Sequence, residues 1–257
     1  MTEPFLTLSL AFLMMTALWP ISLAIKDVSI IDILWAPAFA VLGFAVALTT
    51  QDLGLRGVIV LGLVTVWAIR LGSHIFRRWR KVGEDYRYSE LRRKGGAHFP
   101  FISLVTIFWL QAVLLWVISW PLQAVLSAPP TTLGWLDWLG VAVMVFGILF
   151  EAMADLELTR FRADPSNRER VLDTGVWAWS RHPNYFGDFS LWWGVYVVAL
   201  AAGGPWWTIL GPIVMSALLI HYSGAGLMED TISSRRPGYA DYVRRTSGFV
   251  PLPPRRG

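Results

Sequence analysis

Apolar residues fall into seven runs, at about 5–25, 28–50, 55–76, 101–127, 133–155, 187–203 and 206–224. As helices, runs of this length cross a hydrocarbon core of roughly 30 Å. The first two are joined by a turn around Lys26-Asp27, and the second and third by Thr49-Thr50-Gln51-Asp52-Leu53-Gly54. Connections this short join antiparallel neighbours. The pattern predicts an all-α integral membrane protein of seven transmembrane helices, a single membrane domain over 1–257. Spans one to three fill 1–76, a polar cytoplasmic loop follows at 77–100, and spans four to seven, with their loops and tail, fill 101–257. The first run lacks the basic start and small-residue cleavage site of a removable signal, so it is read as a retained helix.

Composition agrees with a bilayer protein. Of 257 residues 55% are hydrophobic and only 16% charged, too few to cover a soluble core with polar surface. The net charge of +4 does not point to nucleic acid, because the basic residues lie in connectors between apolar runs. They set orientation instead. With 77–100 inside, twenty of the twenty-two lysines and arginines are cytoplasmic, and Arg56 and Arg70 are the two others. The N-terminus is then outside and the C-terminus cytoplasmic, as expected of a multi-pass protein of a bacterial inner membrane. With no cysteine, thiolate catalysis and disulfides are excluded.

The polar positions inside the runs carry the functional signal. Asp32, Arg70, His74, Glu151, Asp155, Asp188 and His221 all fall at the cytoplasmic end of their spans. Ionisable groups in hydrocarbon are costly and face a bundle interior or a wet cavity, so a polar chamber is expected at that depth. The outer turns at 127–132 and 202–205 contain no ionisable residue.

Four constellations stand out. Asp32 sits about one turn into the second span, five residues before Pro37, at a depth that suits a proton donor; the plainer role is pairing with Arg70. Glu151 and Asp155 share a helix face at i, i+4, with Arg162 further along it, and Arg160, Arg168 and Arg170 close by. Acids pairing with arginines would hold a helix, but guanidinium groups also suit phosphate. Arg181-His182-Pro183-Asn184-Tyr185-Phe186-Gly187-Asp188 precedes the sixth span; Pro183 suits a helix start, and the donors around it suit an anion. His182 and Asn184 would alternatively serve as caps. Last, His221 and Tyr222 end the seventh span, with Glu229 about two turns later. His74, His98, His182 and His221 form no local metal-ligand pair, and no glycine-rich dinucleotide loop is present, so no metal is expected.

The Arg181–Asp188 string, preceded by the acid-and-arginine stretch from Asp155 to Arg170 and followed by Gly238-Tyr239-Ala240-Asp241-Tyr242 and Phe249-Val250-Pro251, resembles the steroid 5-alpha-reductase family, particularly its bacterial members of formerly unknown function. The likeness covers the C-terminal half and extends more loosely to Asp32, where the family has an acid early in span two. It implies NADPH-dependent reduction of the conjugated double bond of a 3-oxo-4-ene steroid or a similar lipophilic enone. Carried over, Asp155, Arg162, Arg170, Asn184, Asp188 and Trp192 would hold NADPH, with Arg181 and His182 nearby and Arg160, His221, Tyr222 and Glu229 completing the set. Asp32 would be the acid of an acid–tyrosine pair that polarises the carbonyl. The family's tyrosine in span three has no counterpart here. Only Tyr86 and Tyr88 follow that span; Tyr86 is assigned the role, with His74 another donor. The expected partners are a steroid-like substrate and membrane lipids, with neither nucleic acid nor a protein partner implied.

The Arg-His-Pro-x-Tyr-x-Gly string is also similar to that of isoprenylcysteine and phospholipid methyltransferases, which use S-adenosylmethionine. Asp32 and the arginines of 160–170 favour the reductase, since S-adenosylmethionine has no phosphate. A lipid-binding scaffold would explain the basic loops but not Asp32, Glu151 or His221.

Overall fold

The computed structural model describes residues 3–222 and 238–255. Regular structure among them is helical, apart from one isolated parallel bridge between Ser180 and Ser247. The helices are α1 (Glu3–Ala24), α2 (Ile30–Thr49), α3 (Gly54–Val82), α4 (Tyr86–Gly95), α5 (Phe99–Ser103), α6 (Leu110–Ile118), α7 (Trp120–Leu126), α8 (Trp135–Ala163), α9 (Pro183–Ala201), α10 (Leu210–Ala217) and α11 (Tyr239–Arg245). They cluster into two compact units, Met1–Gly134 with Ala199–Gly211, and Trp135–Val198 with Pro212–Gly257.

This is a membrane protein. Five helical runs, Phe5–Ala24, Ile30–Thr49, Gly54–Val82, Tyr86–Ile118 and Trp135–Ala163, are long and apolar enough to cross a bilayer. The other two expected spans are also helical, but α9 is not among the five and the apolar helix Trp206–His221 is shorter. Asn184, Asp188 and Ser190 dilute the apolar character of α9. Helices also overrun the apolar stretches: α3 reaches Val82 and α8 reaches Ala163, because Arg, Lys and Glu propagate a helix well past the point where hydropathy falls.

The fourth expected span runs as one helix to Ile118, through a π-turn, and breaks at Ser119. A π-turn at Leu104–Trp109 separates α5 from α6, and Ser119 separates α6 from α7. Pro121 cannot donate an intrahelical hydrogen bond, and its ring crowds the preceding turn. Side chains occupy the break: Gln123 donates to the Ser119 hydroxyl at 2.7 Å and accepts from Thr7 at 2.9 Å.

In the first unit α2 and α3 pack closely. A Cβ on Gly72 would lie 2.9 Å from the Pro37 ring and 3.2 Å from the Ile33 carbonyl oxygen, so the groove beside Pro37 is filled by α3. Phe39 and Trp67, both fully buried, close the contact with ring centroids 6.0 Å apart.

In the second unit α8 and α9 cross along a glycine seam. Gly140 and Gly147 on α8, and Gly187 and Gly194 on α9, repeat at seven-residue spacing. A Cβ on Gly147 would meet the Gly187 carbonyl oxygen at 2.5 Å, and one on Gly194 would meet the Gly140 carbonyl oxygen at 2.8 Å. Only glycine permits backbones to approach this closely, and in lipid such contact replaces the hydrophobic drive between helices.

Two buried ionisable groups break the expected one-ended distribution. Arg56, in the first turn of α3, is 6% exposed, and Asp137, in the first turn of α8, is 2% exposed. These are the helix ends opposite Arg70 and Glu151. The Thr131 hydroxyl of the connector after α7 accepts from the Arg56 guanidinium at 2.9 Å.

Candidate functional site

Each unit carries one polar cluster. In the first, the Tyr88 hydroxyl donates to Asp32 Oδ1 at 2.8 Å, joining the first turn of α2 to α4. The two residues are partly buried, whereas Tyr86 is 61% exposed. Residues two apart on a helix point roughly 200° apart, so a helix that aims Tyr88 at Asp32 aims Tyr86 away. Tyr88, rather than Tyr86, is therefore the tyrosine brought to Asp32. His74 is half-buried on α3, four residues after Arg70.

Local chemistry sets the phase of α4. Gly83 ends α3 at φ 77°, ψ −155°, a region open essentially to glycine alone. Asp85 then caps α4: its carboxylate accepts from the Arg87 backbone N–H at 3.0 Å and from the Arg87 guanidinium at 2.9 Å. Burial pulls the Asp85 pKa up, but these Arg87 contacts outweigh it and leave the carboxyl below its ordinary value. Three further hydrogen bonds tie this region to the α1–α2 connector. Val28 N–H donates to Glu84 at 2.9 Å, Asp85 N–H donates to the Ser29 hydroxyl at 2.7 Å, and Trp79 Nε1 donates to Asp27 at 2.7 Å.

The second cluster lies where the glycine seam ends. Glu151 and Asp155 on α8, and Asp188 on α9, are all under one-tenth exposed, and Asn184 Nδ2 donates to Asp155 Oδ1 at 3.4 Å. His182 is buried and stacks on Tyr185 with ring centroids 5.6 Å apart, and Trp192 is fully buried on α9. The sequence thus brings Asp155 and Asn184 together and buries His182, Asp188 and Trp192 in the same unit.

The loop before α9 is held on both sides. Toward α8, Trp177 Nε1 donates to the Ala154 carbonyl at 3.1 Å, and Val176 N–H donates to Glu157 at 3.1 Å. Gly175, at φ 59°, passes so close to the Glu157 carboxylate that a side chain there would collide with it. Toward the tail, Arg181 N–H donates to Ser247 O at 2.9 Å, Ser180 Oγ to Phe249 O at 2.7 Å, and Leu252 N–H to Trp179 O at 3.0 Å. Tyr242 adds a hydroxyl bond to Trp177 O at 2.7 Å. The C-terminal segment is thereby sewn onto the Trp177–Arg181 loop, and Gly248 leaves room for the Arg181 guanidinium.

The family model described as a protein of unknown function, DUF1295, matches residues 18–246. The chain belongs to the DUF1295 family. It is also similar to an uncharacterized protein of Schizosaccharomyces pombe, 25% identical over 97% of this chain and 80% of that protein. No solved structure matches significantly. The DUF1295 region contains both clusters, from Asp32 and Tyr88 to Asp155, Asn184, Asp188 and Tyr242, and ends just before the Ser247–Phe249 segment.

The remaining candidate residues of this DUF1295 protein lie at the margins. Arg160 and Arg162 are exposed in the last turn of α8, and Arg170 is exposed beyond it, where its guanidinium donates to Asn167 at 3.2 Å. His221 is exposed at the end of the π-turn after α10; of Tyr222 only the backbone is described, and Glu229 lies outside the described residues. The contact of Tyr88 with Asp32 and the hydrogen bonds of the tail were not read from the sequence. An N-cap aspartate three residues before Tyr88 was the available signal for the first.

Proposed function

We propose that this protein is an NADPH-dependent reductase of a lipophilic enone, with a 3-oxo-4-ene steroid the representative substrate. The observation that carries the reading is the Tyr88–Asp32 hydrogen bond. A phenol donates and accepts, and a protonated carboxyl does the same, so the pair can hold one hydrogen between its members and aim another at a ketone oxygen. Such a pair stabilises the negative charge that grows on that oxygen when the β carbon is reduced.

NADPH, when bound, supplies the hydride that becomes the new bond at the β carbon. The pair neutralises the enolate oxygen, and a proton taken up at the α carbon completes a two-electron reduction to the saturated ketone. In the second unit, Asp155 and Asn184 offer hydrogen-bonding groups suited to ribose hydroxyls, and the Arg181 loop and exposed Arg160, Arg162 and Arg170 suit phosphates. The set fits NADPH in charge and in donor type. The relation of the DUF1295 family to steroid 5-alpha-reductase-like proteins supports the same reading. In this reading the chemistry lies on the cytoplasmic side of a bacterial inner membrane.

One observation favours a second reading. Three carboxylates, Glu151, Asp155 and Asp188, are buried in one unit and suit a cationic cofactor such as S-adenosylmethionine, which would make the protein a lipid methyltransferase. The deciding experiment uses the detergent-purified protein with progesterone as the enone. Loss of nicotinamide absorbance on mixing with NADPH and progesterone, abolished by Tyr88→Phe, is the expected result. Absence of NADPH binding together with tight S-adenosylmethionine binding would replace the reductase by the methyltransferase.

A further inference from the structure

The polar contacts between the α1–α2 connector and the α3–α4 turn have no counterpart in the reading above, yet they decide where Tyr88 stands. Asp27, Val28 and Ser29 immediately precede α2, and Asp32 is on its first turn. Glu84 and Asp85 immediately precede α4, and Tyr88 is on its first turn. The two helix starts are joined to each other at 2.9 Å through Glu84 and the Val28 N–H, and at 2.7 Å through the Ser29 hydroxyl and the Asp85 N–H. Asp27 anchors the connector from behind, accepting from Trp79 Nε1 at 2.7 Å and from the Ser29 N–H at 2.8 Å. Glu84 is itself held by Arg92 at 2.7 Å, so its carboxylate is fixed from both helices.

A structural staple would need only one such bond. Here each residue from 27 to 29 either donates to or accepts from the 79–85 stretch, and the bonds sit three residues before both reacting side chains. Over three residues a helix turns almost once and rises by about 4.5 Å, so a rotation of either helix start is carried directly to the Asp32–Tyr88 contact. Gly83 supplies the turn that no residue with a side chain would adopt without strain.

We infer that Ser29 and Glu84 are positioning residues that hold Tyr88 in register with Asp32. The inference rests on the reading of Asp32 and Tyr88 as the carbonyl-polarising pair. Its mechanism is geometric: neither residue touches substrate, and loss of either lets the start of α4 swing so that the Tyr88 hydroxyl leaves Asp32.

The test compares Ser29→Ala, Ser29→Thr and Glu84→Ala with the parent, in the intact chain. Ultraviolet resonance Raman of tyrosine, isolated by subtraction of Tyr88→Phe, reports the hydrogen bond of the Tyr88 hydroxyl without any substrate. The expected result is loss of the Asp32-bonded signature in Ser29→Ala and Glu84→Ala, with its recovery in Ser29→Thr, which keeps the hydroxyl. In the progesterone assay the same two variants should lower kcat about 10-fold, the effect of a small misplacement, and leave the KM for NADPH unchanged. An unaltered Tyr88 signature in both variants would overturn the positioning role, whatever the activity. If the signature is lost but Asp32→Asn and Tyr88→Phe turn over as fast as the parent, the positioning stands and the carbonyl-polarising reading falls.

Discussion

The two polar clusters are built by opposite means. In the first unit, hydrogen bonds to side chains across two short connectors bring one carboxyl and one phenol together. In the second, α8 and α9 are pressed together along four glycines, and buried carboxylates follow from that contact as the seam runs on to Glu151 and Asp155. Precision in the first depends on polar atoms, and in the second on the absence of side-chain volume. A pair that must donate a hydrogen to a reacting oxygen needs angular control, which hydrogen bonds give. A pocket for a large cofactor needs a rigid wall, which close-packed backbones give.

The contrast is sharpest where chemistry is removed without changing shape. Asp32→Asn should lower turnover of progesterone by about 100-fold, the usual effect of losing a positioned acid, while thermal stability in detergent stays close to that of the parent. An equal loss of stability would mean that Asp32 is a structural partner.

The converse change adds volume without touching a polar group. Gly147→Val should destabilise the second unit by about 3 kcal/mol, because its Cβ would overlap the Gly187 backbone, and thermal unfolding monitored by tryptophan fluorescence would register it. Gly62→Ala, on α3 with open space around its Cβ, is the matched control and should be neutral or stabilising. Similar behaviour of the two variants would remove the seam from the account.

Tyr242→Phe tests the tail at smaller scale. It deletes one hydroxyl bond to Trp177 O, a loss of about 1 kcal/mol, and should raise the NADPH dissociation constant several-fold by loosening the Arg181 loop while leaving kcat at saturating NADPH unchanged.

The smallest effect concerns acid. The Asp85 carboxyl titrates below its ordinary value in the folded protein, so its contribution is complete above about pH 4 and drains away as pH falls through the folded-state value. Asp85→Asn should therefore be less stable than the parent at neutral pH and show a shallower loss of stability on acidification. A parallel acid profile for both proteins would show that the Asp85 charge contributes nothing to the fold.

How much of this was visible in the amino-acid order follows from the kind of force involved. Helical runs were legible because apolar length is a direct consequence of bilayer thickness, and Asp32 because a carboxyl among Ile30, Ile31, Ile33 and Leu34 has no cheap explanation. The choice between Tyr86 and Tyr88 was not, since it depends on the helical phase fixed by Gly83 and Asp85. The helices run on past the apolar stretches, to Val82 and Ala163, because charged residues continue a helix that hydropathy no longer marks. The tail was invisible for another reason: Arg181 N–H to Ser247 O and Leu252 N–H to Trp179 O are backbone bonds, which any residues with an N–H and a carbonyl would make. The glycine spacing of Gly140, Gly147, Gly187 and Gly194 was present in the sequence, but a glycine in an apolar helix has no meaning until its partner helix is known.

The proposed function divides the labour, with cofactor recognition in the second unit and carbonyl polarisation in the first. Calorimetric titration of NADPH into the parent, Asp32→Asn and Asn184→Ala tests it most directly. Affinities within about twofold are expected for the parent and Asp32→Asn, and weakening of about 10-fold for Asn184→Ala, the loss of one partly buried hydrogen-bond donor. Loss of NADPH binding in Asp32→Asn with none in Asn184→Ala would contradict it.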